Sequence, residues 1–451
     1  MSLNSETIFP LRLSDFEYYM YSVDTPQYPM AFFLKAVVTG ELRRAEFEQS
    51  VRSACERHPL SRAIVRRSLG RLRWVESERE KLPIDWSMEP GGPPLCPDHL
   101  NLNREPGIRI WVRPAGERTE ITFEFHHACC DGIGATQFIG DILAFYGQQT
   151  AEPDAEQPRL HDLSTELLFR RGEIFERSKD QPKQKRSVVK VIHKFRRLVG
   201  RKTMLLAAPG EPPSHSIDRS SFLTEILERS VFRGLRNLAK QTGTSLNDVL
   251  LREMFLTLRD WNVQHQALIE SEWLRIGMPI NMRPPKFDGL PSCNMVSFMF
   301  LPRQPDFCND EEKLLESISE QTTRTLNQRL GNWSLSVLKL MRKVPGLLPL
   351  LLNRRDPFAT SILANVGEMH KNFSAAFPMH RGKCIAGNIV LDWLGGVAPV
   401  REGTRLAVTA CIYANELSIN MNCDQHLYSH DEARALLDLF CERLKSRASH
   451  A

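Results

Sequence analysis

The stretch Ile121-Thr122-Phe123-Glu124-Phe125-His126-His127-Ala128-Cys129-Cys130-Asp131-Gly132 decides how the chain is read. Ile121, Phe123 and Phe125 alternate with polar residues as in a strand, and consecutive strand residues point to opposite faces. One of the two histidines can then face a cleft while its neighbour packs inward. A neutral imidazole with pKa near ~6.5 suits proton abstraction from an alcohol or amine. The small residues 128–130 and Gly132 allow a tight turn and a close backbone approach to a substrate. Asp131 can orient that loop through a buried ion pair. Thr136–Tyr146 (TQFIGDILAFY) follows as an apolar-rich helix.

Four readings of the segment stay open on the residues alone. A structural strand end with a satisfied buried histidine leads, followed by a general-base histidine. A metal site through His126, His127 and Asp131 requires adjacent side chains that diverge on a strand. The fourth reading is a Cys129 or Cys130 nucleophile paired with histidine. Gly132-Ile133-Gly134 resembles a dinucleotide loop, but Gln137 stands at the third glycine position. G-x-S-x-G, G-x-x-x-x-G-K-[ST] and H-E-x-x-H patterns are absent.

Working outward, the N-terminal part reads as mixed α/β. Ser14 looks like a helix cap ahead of FEYYMYS, Ala31–Val38 is a buried strand and Leu42–Arg57 an amphipathic helix ended by His58-Pro59. Strands are expected at Ala63–Arg67, Arg71–Glu76, Ile108–Arg113 and Ile121–Phe125, with a loop at Pro90–Pro94. A second mixed run begins with a strand at Thr224–Ser230 and a helix at Val231–Gln241. Ser245 caps the helix Leu246–Trp261. Strands follow at Leu274–Pro279, Met295–Leu301, Ser361–Asn365, Leu406–Ala414 and Leu417–Asn422. Helices are expected at Glu311–Arg329 and Ser429–Ser446. No residue repeat links the two halves.

The chain has 451 residues, 42% hydrophobic and 25% charged, the balance of a globular protein with two or three domains. Its net charge of +5 is unevenly placed. Arg170–Lys202 holds 13 Lys/Arg against 3 Asp/Glu, so this stripe carries +10 and the remainder −5. A mildly acidic protein with one basic stripe lacks the broad basic field of a nucleic-acid binder. Val188, Val191 or Ile192, Phe195, Leu198 and Val199 share one helical face, with Lys190, Lys194, Arg197 and Arg201 largely opposite. This is either a solvated connecting helix or a docking face for a lipid surface, an acidic carrier protein or CoA phosphates. Leu335–Pro357, apolar with basic punctuation, is either a core helix and loop or a second lipid contact. Ten cysteines, with no C-x-x-C, read as reduced thiols of an intracellular protein. The N-terminus lacks signal-peptide regions, and the longest apolar stretch, Val344–Leu352, is broken by Pro345 and Pro349. A cytoplasmic protein, peripheral to a membrane at most, is expected.

His126–Gly132, read as HHxxxDG between a strand and a helix, resembles the signature of the CoA-dependent acyltransferase superfamily. That group includes nonribosomal-peptide condensation domains, alcohol O-acetyltransferases and wax ester synthases. Further segments resemble it in order along most of the chain: Leu13-Ser14-Asp15, Arg57-His58-Pro59-Leu60, Leu246-Asn247-Asp248-Val249-Leu250, Met278-Pro279-Ile280-Asn281-Met282-Arg283 with Asn294, Ala364-Asn365-Val366-Gly367, and Tyr413–Asp424.

The resemblance implies an α/β (α+β) fold of two chloramphenicol-acetyltransferase-like lobes forming a V around a central channel. The expected division is 1–165 for the first lobe, 166–216 for a basic linker and 217–451 for the second lobe. His127 is implied as general base, with Asp131 paired to Arg283 from the other lobe. His126 packs behind, Gly132 keeps the channel open and Asn294 supports the motif. Cys130, Ser361 and Asn365 are expected along the substrate channel. No metal or tightly bound cofactor is implied, the co-substrate being acyl-CoA or acyl-phosphopantetheine. The implied activity is transfer of the acyl group to an alcohol or amine. Amide-forming condensation on carrier-bound substrates and a non-catalytic acyl- or peptidyl-binding protein are the alternatives. Leu394–Val397 has no carrier-type serine and no further domain follows, so a free-standing enzyme is expected, with an acyl carrier protein as a candidate partner. Both channel walls would come from one chain, making a monomer sufficient.

Overall fold

The computed structural model describes residues 8–68, 70–78, 82–86, 99–172, 200–210, 221–284, 287–327, 337–339, 342 and 357–449. In chain order the first half comprises β1 (Leu11–Arg12), α1 (Asp15–Ser22), β2 (Ala31–Thr39), α2 (Arg44–Arg57), β3 (Ala63–Ser68), β4 (Arg71–Glu76), β5 (Ile84–Trp86), β6 (Ile108–Ala115), β7 (Arg118–His126), α3 (Gly132–Thr150), β8 (Arg159–Leu160) and α4 (Leu167–Arg170). The second comprises β9 (Leu223–Leu227), α5 (Arg229–Gln241), α6 (Leu246–Gln264), β10 (Leu274–Asn281), β11 (Val296–Arg303), α7 (Glu311–Asn327), β12 (Ser361–Glu368), β13 (Ala375–Ala376), β14 (Met379–His380), β15 (Lys383–Ala386), β16 (Ile389–Val397), β17 (Leu406–Tyr413), β18 (Glu416–Cys423) and α8 (His430–Ser449).

Two large sheets organise these elements. One has seven strands in the order β14-β15-β16-β2-β7-β6-β5, and the other six in the order β11-β10-β12-β17-β18-β9. The alternating apolar residues of β7 put Phe123 and Phe125 in the first core, where Phe138, Ile139 and Ile142 of α3 cover them. A second core gathers Val249, Met254 and Phe255 of α6 with Ile276, Val408, Ile419 and Phe440 around the six-stranded sheet. Each lobe is thus helices packed on one sheet, the outcome expected when strands and amphipathic helices mix along a chain.

Local chemistry sets several boundaries. Ser14 accepts the Glu17 N–H while Glu17 accepts the Ser14 N–H, a reciprocal cap that starts α1. Ser245 and Asp248 do the same for α6. The helix expected from Thr136 starts earlier, at Gly132, because Asp131 caps it through the Gly134 N–H. The strand expected through Ser230 stops at Leu227, and α5 begins at Arg229.

The sheets cross the expected division of the chain. β16 lies in the 217–451 segment, yet it pairs antiparallel with β2 from Thr39↔Val390 to Phe33↔Val397. The chain therefore leaves the second lobe after β12, completes the first lobe's sheet with β14, β15 and β16, and returns at β17. The face expected at Val188–Val199, with Lys190, Lys194 and Arg197, lies outside the described residues, as does most of Leu335–Pro357. Arg201 is described, its guanidinium 3.9 Å from the Trp273 ring centroid. Among the described residues no helix is long and apolar enough to cross a membrane.

Candidate active site

Pairing with β2 on one side and β6 on the other holds the histidine pair at the C-terminal end of β7. His126 donates its N–H to the Gly107 carbonyl (2.8 Å), and His127 donates to the Met30 carbonyl on the other side (2.6 Å). The chain then turns through 128–130, with the Cys129 N–H bonded back to the His126 carbonyl (2.8 Å). His126 is buried behind this turn. Its Nδ1 accepts the Ala128 N–H (3.1 Å), and its Nε2 lies 3.3 Å from Asp24 Oδ2.

Asp131 is the junction between lobes. Arg283 reaches it with two parallel bonds, NH1 to Oδ2 (2.8 Å) and NH2 to Oδ1 (2.9 Å). Oδ2 also accepts the Met295 N–H (2.7 Å), and Oδ1 accepts the Gly134 N–H (2.9 Å). Burial raises the pKa of a carboxyl, but the Arg283 charge and these hydrogen bonds outweigh it and hold Asp131 below the usual range. Arg283 NH2 also donates to the Cys293 carbonyl (2.9 Å), so one guanidinium ties α3 to the 292–295 strap. The same strap is fastened by His58, whose Nδ1 accepts the Ser292 N–H (2.8 Å) while Nε2 meets buried Asp141 (3.0 Å).

That strap presents Asn294 to His127. The Asn294 amide nitrogen donates to the His127 carbonyl and stands 3.1 Å from His127 Nδ1. Asn294 Oδ1 accepts the Val296 N–H (3.2 Å), which fixes the amide's orientation. Two neutral tautomers of His127 fit this surround. A hydrogen on Nδ1 is directed at the carbonyl oxygen and leaves the Nε2 lone pair free. A hydrogen on Nε2 lets Nδ1 accept from Asn294. Burial pulls the imidazole pKa below its ordinary value, with hydrogen bonding to the His127 and Cys130 backbone acting in the opposite direction. The ring is therefore neutral at neutral pH. Phe32 packs against it at 5.0 Å between centroids.

His127 opens onto a cavity of about 210 Å³ between the two sheets. Alternate residues of three strands wall it: Met30, Phe32 and Leu34 from β2 and its approach, Val296, Phe298 and Phe300 from β11, and Ile362, Ala364 and Val366 from β12. Of the residues expected to form the site, His127, Asp131, Gly132, Arg283 and Asn365 line this cavity. His126 and Asn294 stand behind His127, both buried. Cys130 and Ser361 do not line it, contrary to expectation. Cys130 is buried in the core under the turn, and Ser361 has strand parity opposite to the cavity-facing Ile362 and Ala364 and is fully buried.

Burial pushes the Cys130 thiol well up, opposite to what a nucleophilic thiolate requires. Among the described residues no three His, Cys, Asp or Glu side chains converge in a metal-binding group. Sequence reasoning missed Tyr19, Asn281 and Arg401, which also line the cavity. Asn281 carried a signal, since it sits between Met278 and Arg283 in a motif already singled out. Arg401 carried none, being one arginine in an irregular loop.

No family model matches the chain. An uncharacterized protein of Mycobacterium tuberculosis is 23% identical over 364 residues, 74% of this chain and 78% of that protein. Solved structures are similar over nearly the whole length. The first condensation domain of the calcium-dependent antibiotic synthetase, in complex with a substrate analogue, matches with a TM-score of 0.69 at 12% identity, covering 99% of this chain and 97% of that one. The starter condensation domain of rhizomide synthetase, as a double mutant in complex with C8-CoA and Leu-SNAC, matches with a TM-score of 0.65 at 13% identity, covering 98% and 94%. The chain has the fold of these condensation domains.

Proposed function

We propose that the protein is an acyltransferase that moves an acyl group from a CoA or phosphopantetheinyl thioester to an alcohol or amine, with His127 as general base. The observation that carries the reading is a neutral imidazole on the wall of an apolar cavity, braced by Asn294 on a strap fastened through Asp131 and Arg283. A base held neutral by burial is ready to accept a proton at physiological pH.

In this mechanism Nε2 takes the proton as the acceptor oxygen or nitrogen attacks the thioester carbonyl. The tetrahedral intermediate collapses, the carbon–sulfur bond breaks, and the imidazolium returns the proton to the departing thiolate. Ester or amide and free thiol are the products. The thioester is already activated, so positioning and one base supply the acceleration. Arg283 and Asp131 neutralise one another and serve to hold the motif. The rhizomide starter domain, whose structure contains C8-CoA and Leu-SNAC, supports a thioester donor here.

Amide formation on carrier-bound substrates is the second reading, favoured by the number of condensation domains among similar structures. Mass-spectrometric detection of acyl-CoA loss against mixed alcohols and amines tests the first, and replacing CoA by an acylated carrier protein tests the second. His127→Ala is expected to lower turnover by ~10²–10⁴-fold. Full turnover in that variant overturns the assigned base, and no turnover of any thioester by wild type favours a ligand-binding protein instead.

A further inference from the structure

The cavity has a second polar feature besides His127, and strand register gives the direction of the cavity wall. Asn281 pairs with Val296 near the motif, while four residues earlier Gly277 lies between Phe300 of β11 and Ile362 of β12. Four strand residues span ~13 Å. The lack of a side chain at Gly277 matters here: a Cβ would stand 2.6 Å from Ile362 Cδ1, so Ile362 fills that space. Phe300 and Phe358 pack together at this end, 6.5 Å between centroids.

The loop that returns the chain to the second lobe forms another stretch of the wall. It leads into β17, whose Ala407 pairs with Ile362. Its Thr404 donates to the Ala359 carbonyl (3.2 Å). Arg401 of this loop lines the cavity. The guanidinium donates to the Tyr19 hydroxyl and lies 5.6 Å from that ring's centroid. Among the described residues no carboxylate comes within 4.0 Å of it. Arg283, the other cation on the cavity wall, is neutralised by Asp131. Arginine stays charged and offers five donors, so Arg401 faces the cavity with charge and donors that a neutral hydroxyl does not satisfy.

We propose that Arg401, oriented by Tyr19, binds an anionic oxygen group on the substrate. The inference rests on the cavity being the thioester or acceptor site. The ligand class is a largely apolar thioester or acceptor that carries a carboxylate or phosphate. A carboxylate comes from a substituted acyl chain or acceptor, and a phosphate from the CoA or phosphopantetheine arm.

Calorimetric binding without acceptor tests this on the full chain, with two ligand pairs. Octanoyl N-acetylcysteamine thioester is compared with its ω-carboxy counterpart, and separately with octanoyl-CoA. Wild type is expected to bind the anionic member of one pair ~10-fold more tightly, a preference that weakens as salt rises. Arg401→Gln abolishes the preference while still binding the uncharged thioester, Arg401→Lys keeps part of it, and Tyr19→Phe reduces it. The pair that shows the preference identifies the group. Equal binding within both pairs, or a preference that survives Arg401→Gln, overturns the proposal and leaves the acyltransferase reading standing. Failure of every thioester to bind ends both.

Discussion

Asp131 and Arg283 form a two-pronged ion pair across the lobes, at 2.8 and 2.9 Å, with side chains only 6% and 11% exposed. Removing one partner of such a buried pair leaves an uncompensated charge, at a cost of about 3–5 kcal/mol. Arg283→Ala and Asp131→Asn are each expected to lower unfolding stability by that order, read from urea midpoints at pH 7. The pair's worth depends on pH with a definite sign. Asp131 has a folded pKa below the unfolded value, so its contribution is intact above about pH 4 and is lost as pH falls through the lower folded value. A variant as stable as wild type would mean that the other Asp131 bonds alone hold the strap.

His127 has a directional consequence for the pH profile of acyl transfer. The base works when neutral, and burial keeps its pKa under the ordinary 6.5. The acid limb of kcat/KM is therefore expected below pH 6.5, with activity flat from that limb through neutrality. An acid limb at or above pH 7 would assign the titration to another group.

Much of this site was legible because its signals are local. Ser14 with Glu17 and Ser245 with Asp248 are caps three residues apart, and the alternation up to Phe125 marks a strand that ends at the histidines. What escaped is non-local. Leu394-Gly395-Gly396-Val397 raised no expectation of a strand, and nothing local says that Gly395 and Gly396 lie opposite Lys35 and Leu34 in the first lobe's sheet. A Cβ at Gly396 would stand 2.2 Å from the Phe33 carbonyl oxygen, so glycine is required by a partner some 360 residues away. The start of α3 escaped for an energetic reason. Gly132 and Gly134 are poor helix formers, and the Asp131 cap overrides them. Parity explains Ser361: the strand was foreseen, but which face meets the cavity depends on the sheet's packing.

Asn294 offers a test of the imidazole's orientation. Asn294→Leu removes the amide from the His127 carbonyl and Nδ1, and kcat is expected to fall ~10-fold, about the worth of one lost buried hydrogen bond. Asn294→Asp puts a carboxylate beside Nδ1. That charge favours imidazolium and a hydrogen on Nδ1, so the acid limb moves to higher pH while the Nε2 lone pair stays in the cavity. An unmoved limb in Asn294→Asp would show that Asn294 supports the backbone without touching the ring's proton.

The two glycines opening α3 separate stability from access. Gly134 sits against the strap: an added Cβ would meet the Cys293 carbonyl oxygen at 2.8 Å and its nitrogen at 3.0 Å. Those are backbone atoms of the segment that carries Asn294 and Met295, so Gly134→Ala forces the strap away from Asp131. A loss of about 1–3 kcal/mol is expected, together with weaker transfer activity. Gly132 differs, since the nearest atom to its added Cβ would be Val366 Cγ2 at 4.0 Å, across the cavity. Gly132→Ala is therefore expected to leave the thermal midpoint unchanged or raise it, as alanine suits a helix better by ~1 kcal/mol. The methyl group nevertheless enters the space beside His127, so kcat/KM falls most for bulky acceptors. Measured midpoints should run Gly132→Ala at or above wild type, and wild type above Gly134→Ala. A reversed order would mean that the strap is free to move and that the tight approach of the lobes at Cys293 does not set the geometry of the site.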